Sequence, residues 1–158
     1  DTHHPDIAMV QSAQWEIVPR RLPGDDRWRI IGDPVYDAFL VREFTAAVDT
    51  LSRDGALVIW IDQPHYGRLE DDSFPAAMRE SHDPARVDRL NEIIRQVAAS
   101  RPKVMRVVDL ATWMEPRTDD AGMRKDGSHF NDVGGRPMAD EFLGPEMVRI
   151  WQRWRAGG

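Results

Sequence analysis

The segment Ala56-Leu-Val-Ile-Trp-Ile61 is apolar at every position, hence on both of the faces that strand alternation creates. A run of that kind suits a strand covered on two sides, as the strands of parallel sheets are. Helices are expected next to it, and the flanking sequence supplies them. Val41, Phe44, Val48 and Leu51 recur at three- and four-residue steps, which predicts an amphipathic helix from residue 35, with Gly55 as its left-handed C-cap. Asp83-Pro84 offers an N-cap followed by a proline in the first turn, and Val87, Leu90, Ile94 and Val97 form a second stripe that ends before Pro102.

Two more strands are expected, one at residues 7–11 (IAMVQ) and one at residues 104–108. Residues 18–34, with three prolines and two glycines, read as a surface loop. An Asp- and Gly-rich loop runs to His129, and residues 132–155 read as helical, with Met147, Trp151 and Trp154 on the inner face. The order strand, helix, strand, helix, strand, loop, helix predicts an α/β domain: a three-layer, flavodoxin-like parallel sheet with helices on both faces, built by right-handed crossovers. Working groups in such a fold gather at the carboxyl ends of the strands. The 158 residues suffice for one domain.

Charge and composition exclude several classes. With 27 acidic against 21 basic residues and no Lys/Arg cluster, the chain would repel a phosphate backbone, so nucleic acid is not an expected partner. Cysteine is absent, which rules out a disulfide framework, a thiolate zinc site and a cysteine nucleophile. The longest apolar run falls far short of the roughly 20 residues a membrane-spanning helix needs, so no membrane insertion by these residues is expected. His3 and His4 read as a plain terminal pair rather than metal ligands, and no metal or other cofactor is expected.

An aspartate three residues before a histidine can hold one imidazole nitrogen and leave the other to take a proton from a nucleophile. That spacing occurs three times: Asp1 with His4, Asp62 with His65, and Asp126 with His129. Only the third follows the last expected strand and precedes the terminal helical region. Its surroundings, Asp126-Gly-Ser-His129-Phe-Asn-Asp-Val-Gly134, resemble the last conserved block of the SGNH (GDSL-like) hydrolases, in which an Asp-x-x-His pair completes a Ser-His-Asp triad. The segment Pro5 to Glu16 resembles the strand and loop of that family's Gly-x-Asn-Asp block, in the Trp-Glu form of SGNH domains fused to membrane acyltransferases.

The resemblance implies that His129 is a general base oriented by Asp126. It implies a serine esterase or O-acyltransferase acting on acylated small molecules or glycans, in an extracytoplasmic setting and open to attachment to an upstream membrane segment. Two departures stand out. No Gly-Asp-Ser block follows an apolar strand here, so residues 1–158 are expected to form the C-terminal portion of a single SGNH-like domain whose serine lies upstream, and this fragment alone is expected to be inactive. The oxyanion block reads Ala13-Gln14-Trp15, which leaves the Gln14 amide as the candidate donor.

Trp15 and Trp28, flanking the long loop, and His65, following the central strand, are candidates for a substrate wall, whereas Trp60 belongs in the core. Each has a plainer reading as well: His65 as an ordinary loop histidine, Glu70-Asp-Asp as a solvated acidic run, and Ser128 as a turn residue too near His129 to serve as its nucleophile. The alternative for the whole domain is a non-catalytic α/β module that binds carbohydrate or protein.

Overall fold

The computed structural model describes residues 4–67, 82–117 and 120–157. Three strands form a parallel sheet in the order β1 (Ile7–Gln11), β4 (Leu57–Ile61), β5 (Met105–Val108), with Met9 opposite Ile59 and Ile59 opposite Arg106. A small antiparallel pair, β2 (Arg20–Arg21) and β3 (Trp28–Arg29), stands apart from it. The chain is thus α/β with a parallel sheet flanked by helices, as the apolar run at 56–61 required.

Strand alternation divides β4 between two cores. Val58 and Trp60 point into one, shared with Phe44 and Val48 of α2 (Pro34–Leu51) and with Val87, Leu90, Ile94 and Val97 of α3 (Pro84–Ser100). Leu57, Ile59 and Ile61 point into the other, where Ile150 of the last helix, α7 (Gly144–Arg155), is buried. Every residue of β4 is buried, and each large aliphatic side chain so removed from water contributes roughly 1.5–3 kcal/mol. The Trp60 ring lies 4.6 Å from Phe44, tilted 44° to it, and donates its indole N–H to Ser12 Oγ, so this tryptophan is a core residue as expected.

β1 is covered less completely. Ala8 and Val10 pack toward the α2–α3 side, but Met9, which faces the other way, is 56% exposed. Among the described residues, no strand pairs with the outer edge of β1.

Several local expectations are corrected. The segment 18–34 is an ordered excursion. It follows a short helix α1 (Gln14–Ile17) and is held by Arg29, whose buried guanidinium bonds Asp25 at 2.6 Å and Asp33 at 2.7 Å. Asp33 is itself the N-cap of α2, accepting from Val35 N–H, so the ion pairs tie the loop to the helix start. α2 ends at Leu51 with Ser52 as cap. Gly55 does have φ +92° but turns the chain three residues later, as the link into β4. Leu40 and Tyr36 fill the buried stripe, while Leu51 lies outside it.

The stretch after β5 is not plain loop: it holds α4 (Leu110–Met114) and α5 (Asp120–Met123). Residues 132–155 are helical throughout, as expected, in the succession α6 (Asp132–Pro137), a π-helical stretch Met138–Leu143 and α7. Pro145 has no N–H to return to the preceding turn, which accounts for the change of hydrogen-bond pattern at this point. Met147 and Trp154 do pack inward with Ile150, but Trp151, a further 100° around the helix, is not part of that core. The run Glu70-Asp-Asp lies outside the described residues.

Candidate active site

The three parallel strands end at one rim, and the residues that follow them are fixed there by buried polar groups. Asp62, fully buried just after β4, accepts from Ala111 N–H at 2.9 Å and from Arg95 at 2.6 Å. Burial nonetheless pushes its carboxyl up to about 6, with the charge of Asp109 adding to the rise and the Ala111 and Arg95 contacts opposing it. Next to it, Asn91 of α3 brackets the Gln63 backbone on both sides, accepting from its N–H at 2.9 Å and donating to its carbonyl at 2.8 Å. Asn91 interrupts the apolar stripe of α3, and such an interruption is the sequence signal for a buried polar partner.

The loop carrying His129 is stapled to this platform. Gly67 N–H donates to Gly127 O at 2.7 Å, and Arg124 donates to His65 O at 2.8 Å. Gly127 has φ +72°, and a Cβ there would lie 2.9 Å from the Gly67 carbonyl oxygen, so the two backbones meet at a distance only glycine permits. On the other side Asn131 caps α6, accepting from the N–H groups of Val133 and Gly134 and donating to Gly122 O.

Between these anchors Asp126 and His129 make the expected pair. His129 Nδ1 lies 2.7 Å from Asp126 Oδ2, while Asp126 Oδ1 accepts from the backbone N–H groups of Ser128 at 2.9 Å and His129 at 2.8 Å. The bond from the ring, followed by the two backbone N–H groups, holds the Asp126 carboxyl far below the ordinary carboxylate range. A carboxylate accepts only, so Nδ1 carries the ring proton and Nε2 presents its lone pair. The ring is 84% exposed, and Nε2 has no hydrogen-bond partner among the described residues. Helix capping falls to Asn131, not to His129.

The imidazole borders a cleft of about 370 Å³ lined by Gln11, Ala13, Gln63, Pro64, Ser128, His129 and Phe130. Gln11 ends β1 and Gln63 follows β4, so the cleft is at the carboxyl rim, where the sequence placed its working groups. Of the other sequence candidates, none lines this cleft. Gln14 opens α1 beside it, and the neighbouring Ala13 N–H donates to Glu16 rather than into the cleft. Trp15 and Trp28 are 70% and 65% exposed, with Arg21 over the Trp28 ring at 5.1 Å.

His65 borders a second cavity of about 420 Å³, on the far side of Pro64, and its Nε2 lies 2.7 Å from Asp88. The spacing of Asp62 and His65 therefore makes no pair, because Asp62 turns inward to Arg95. Asp1 lies outside the described residues. Gln63 and Gln11 are the cleft residues that sequence reading passed over; a polar residue at or just past the carboxyl end of a strand was the available signal.

Among the described residues no cluster of His, Asp and Glu could hold a metal ion, and no helix is long and apolar enough to cross a membrane. No family model matches the chain, and no curated protein or solved structure is significantly similar to it.

Proposed function

We propose that this is an SGNH-like domain that hydrolyses or transfers ester-linked acyl groups, with His129 as general base and Asp126 as the group that orients it. The observation that carries the reading is the Asp126–His129 pair at the carboxyl rim of a parallel sheet, with Nδ1 held at 2.7 Å and the ring bordering a cleft. The nucleophile is a serine from a segment outside these residues, and the outer edge of β1, which no described strand occupies, is where a further strand of the sheet would add. In the first step Nε2 takes the serine proton as Oγ bonds to the ester carbonyl carbon. The imidazolium then returns that proton to the departing alkoxide as the C–O bond breaks. Water or an acceptor hydroxyl repeats the sequence on the acyl-serine. Resemblance to the acyltransferase-fused group favours acylated glycans outside the cytoplasmic membrane as substrates.

The test uses the polypeptide that joins this domain to its serine-bearing segment. p-Nitrophenyl acetate turnover and serine labelling by a fluorophosphonate are both expected to vanish in His129→Ala. Full retention of both in that variant, or no labelled serine in the parent protein, rejects the hydrolase and leaves a binding module.

A further inference from the structure

Gln63 is only 4% exposed, yet it lines the cleft beside His129. Its backbone is held on both sides by Asn91, and its side-chain Nε2 donates to Pro64 O at 3.1 Å. A carbonyl oxygen can only accept, so the atom against it must be the nitrogen, and Oε1 is turned the other way. Oε1 has no hydrogen-bond partner among the described residues, and it is not among the polar atoms sealed from solvent. An amide held at its backbone and its nitrogen, with its oxygen left open to solvent, is a fixed acceptor that a ligand donor can take over from water.

We propose that Gln63 determines specificity by accepting a hydrogen bond from a hydroxyl next to the ester, so that the cleft favours acylated sugars over simple alkyl esters. The inference rests on the esterase reading only for the word substrate; the contact itself is a matter of binding. Because backbone and amide nitrogen are already fixed, the acceptor is set in place before the ligand arrives and little ordering remains to oppose association.

Two probes separate the donor from the ester: methyl 6-O-acetyl-glucopyranoside, and the same compound with its remaining hydroxyls capped as methyl ethers. Titrated into the 158-residue chain and followed by the Gln63 side-chain amide and the His129 backbone N–H in ¹H–¹⁵N NMR, the hydroxylated sugar is expected to bind about five- to tenfold tighter, the worth of one hydrogen bond. Gln63→Met keeps the side chain's length and should bring the two affinities within about twofold. Equal affinities in the parent chain, no saturable shift with either probe, or a preference that survives Gln63→Met would each overturn the assignment. The parent-chain comparison stands even if the variant does not fold. Preferential binding without turnover in the intact polypeptide would reject the esterase and support Gln63 as a sugar contact; turnover of both esters without preference would do the reverse.

Discussion

Gly127→Ala tests how the His129 loop is held. Two separable costs apply at this position. The first is conformational: φ is +72°, where a Cβ is disfavoured by about 1–2 kcal/mol. The second is steric: the new Cβ would meet Gly67 O at 2.9 Å, Gly67 C at 3.0 Å and Gly67 Cα at 3.1 Å, all backbone atoms. Relief by separation is opposed, because it stretches the 2.7 Å bond from Gly67 N–H to Gly127 O, and overpacking of this kind costs typically about 1–3 kcal/mol. Together they predict a loss of about 2–5 kcal/mol, a large part of the roughly 5–15 kcal/mol by which domains of this size are stable.

Gly24→Ala is the control, since Gly24 has φ +77° and open space around its missing Cβ. It should show the conformational cost alone. Urea unfolding followed by tryptophan fluorescence would compare the two midpoints at constant m-value. If Gly127→Ala is no more destabilising than Gly24→Ala, the close approach of the two loops is not what positions His129.

Two further outcomes follow from the same rim. Asp62 has its folded-state pKa raised from 3.8 to about 6, so the native state holds its proton where the unfolded chain has lost it, and stability falls as pH rises through that window. Asp62→Asn should therefore gain on the parent by roughly 3 kcal/mol between pH 3.5 and pH 7 in urea titrations, and a pH-independent difference would contradict the assignment. Asn131→Ala removes the cap from Val133 and Gly134 and the bond to Gly122 O, and should cost about 1–2 kcal/mol in thermal or urea unfolding; Asn131→Asp, which keeps the acceptor but loses the donor to Gly122 O, should recover only part of it.

What the sequence disclosed and what it hid have physical causes. The central strand was legible because every position of 56–61 is apolar, and only burial on two faces explains that. The helix at 84–100 was legible because cap, proline and stripe agree. Residues 18–34 misled because their prolines and glycines speak only to local backbone preference, while their order comes from Arg29 reaching back to Asp25 and forward to Asp33. The Asp126–His129 pair was legible because its partners are three residues apart and meet within one turn. Gln63 was not, since its role depends on Asn91, 28 residues away, and on a loop more than 60 residues downstream. Local chemistry leaves a pattern in sequence; the meeting of distant segments leaves one only where a polar residue interrupts an apolar stripe.

The same geometry limits where a nucleophile can come from. In imidazole the two nitrogens point away from each other, so a carboxylate on Nδ1 directs Nε2 away from Asp126, and the ring borders the cleft that Gln11, Ala13 and Gln63 also line. Gln11 is the last residue of β1, whose outer edge no described strand occupies. Neighbouring strands lie about 4.8 Å apart, so a strand added there in parallel would end beside Gln11, and the residue after it would stand over the cleft. An antiparallel addition would deliver its final residue to the opposite rim, a full strand length from His129. A serine that follows its strand, as in the expected Gly-Asp-Ser block, therefore requires that strand to run parallel to β1. A structure of the longer polypeptide with an antiparallel strand on that edge, and its serine at the far end, would separate the base from the group it is meant to activate.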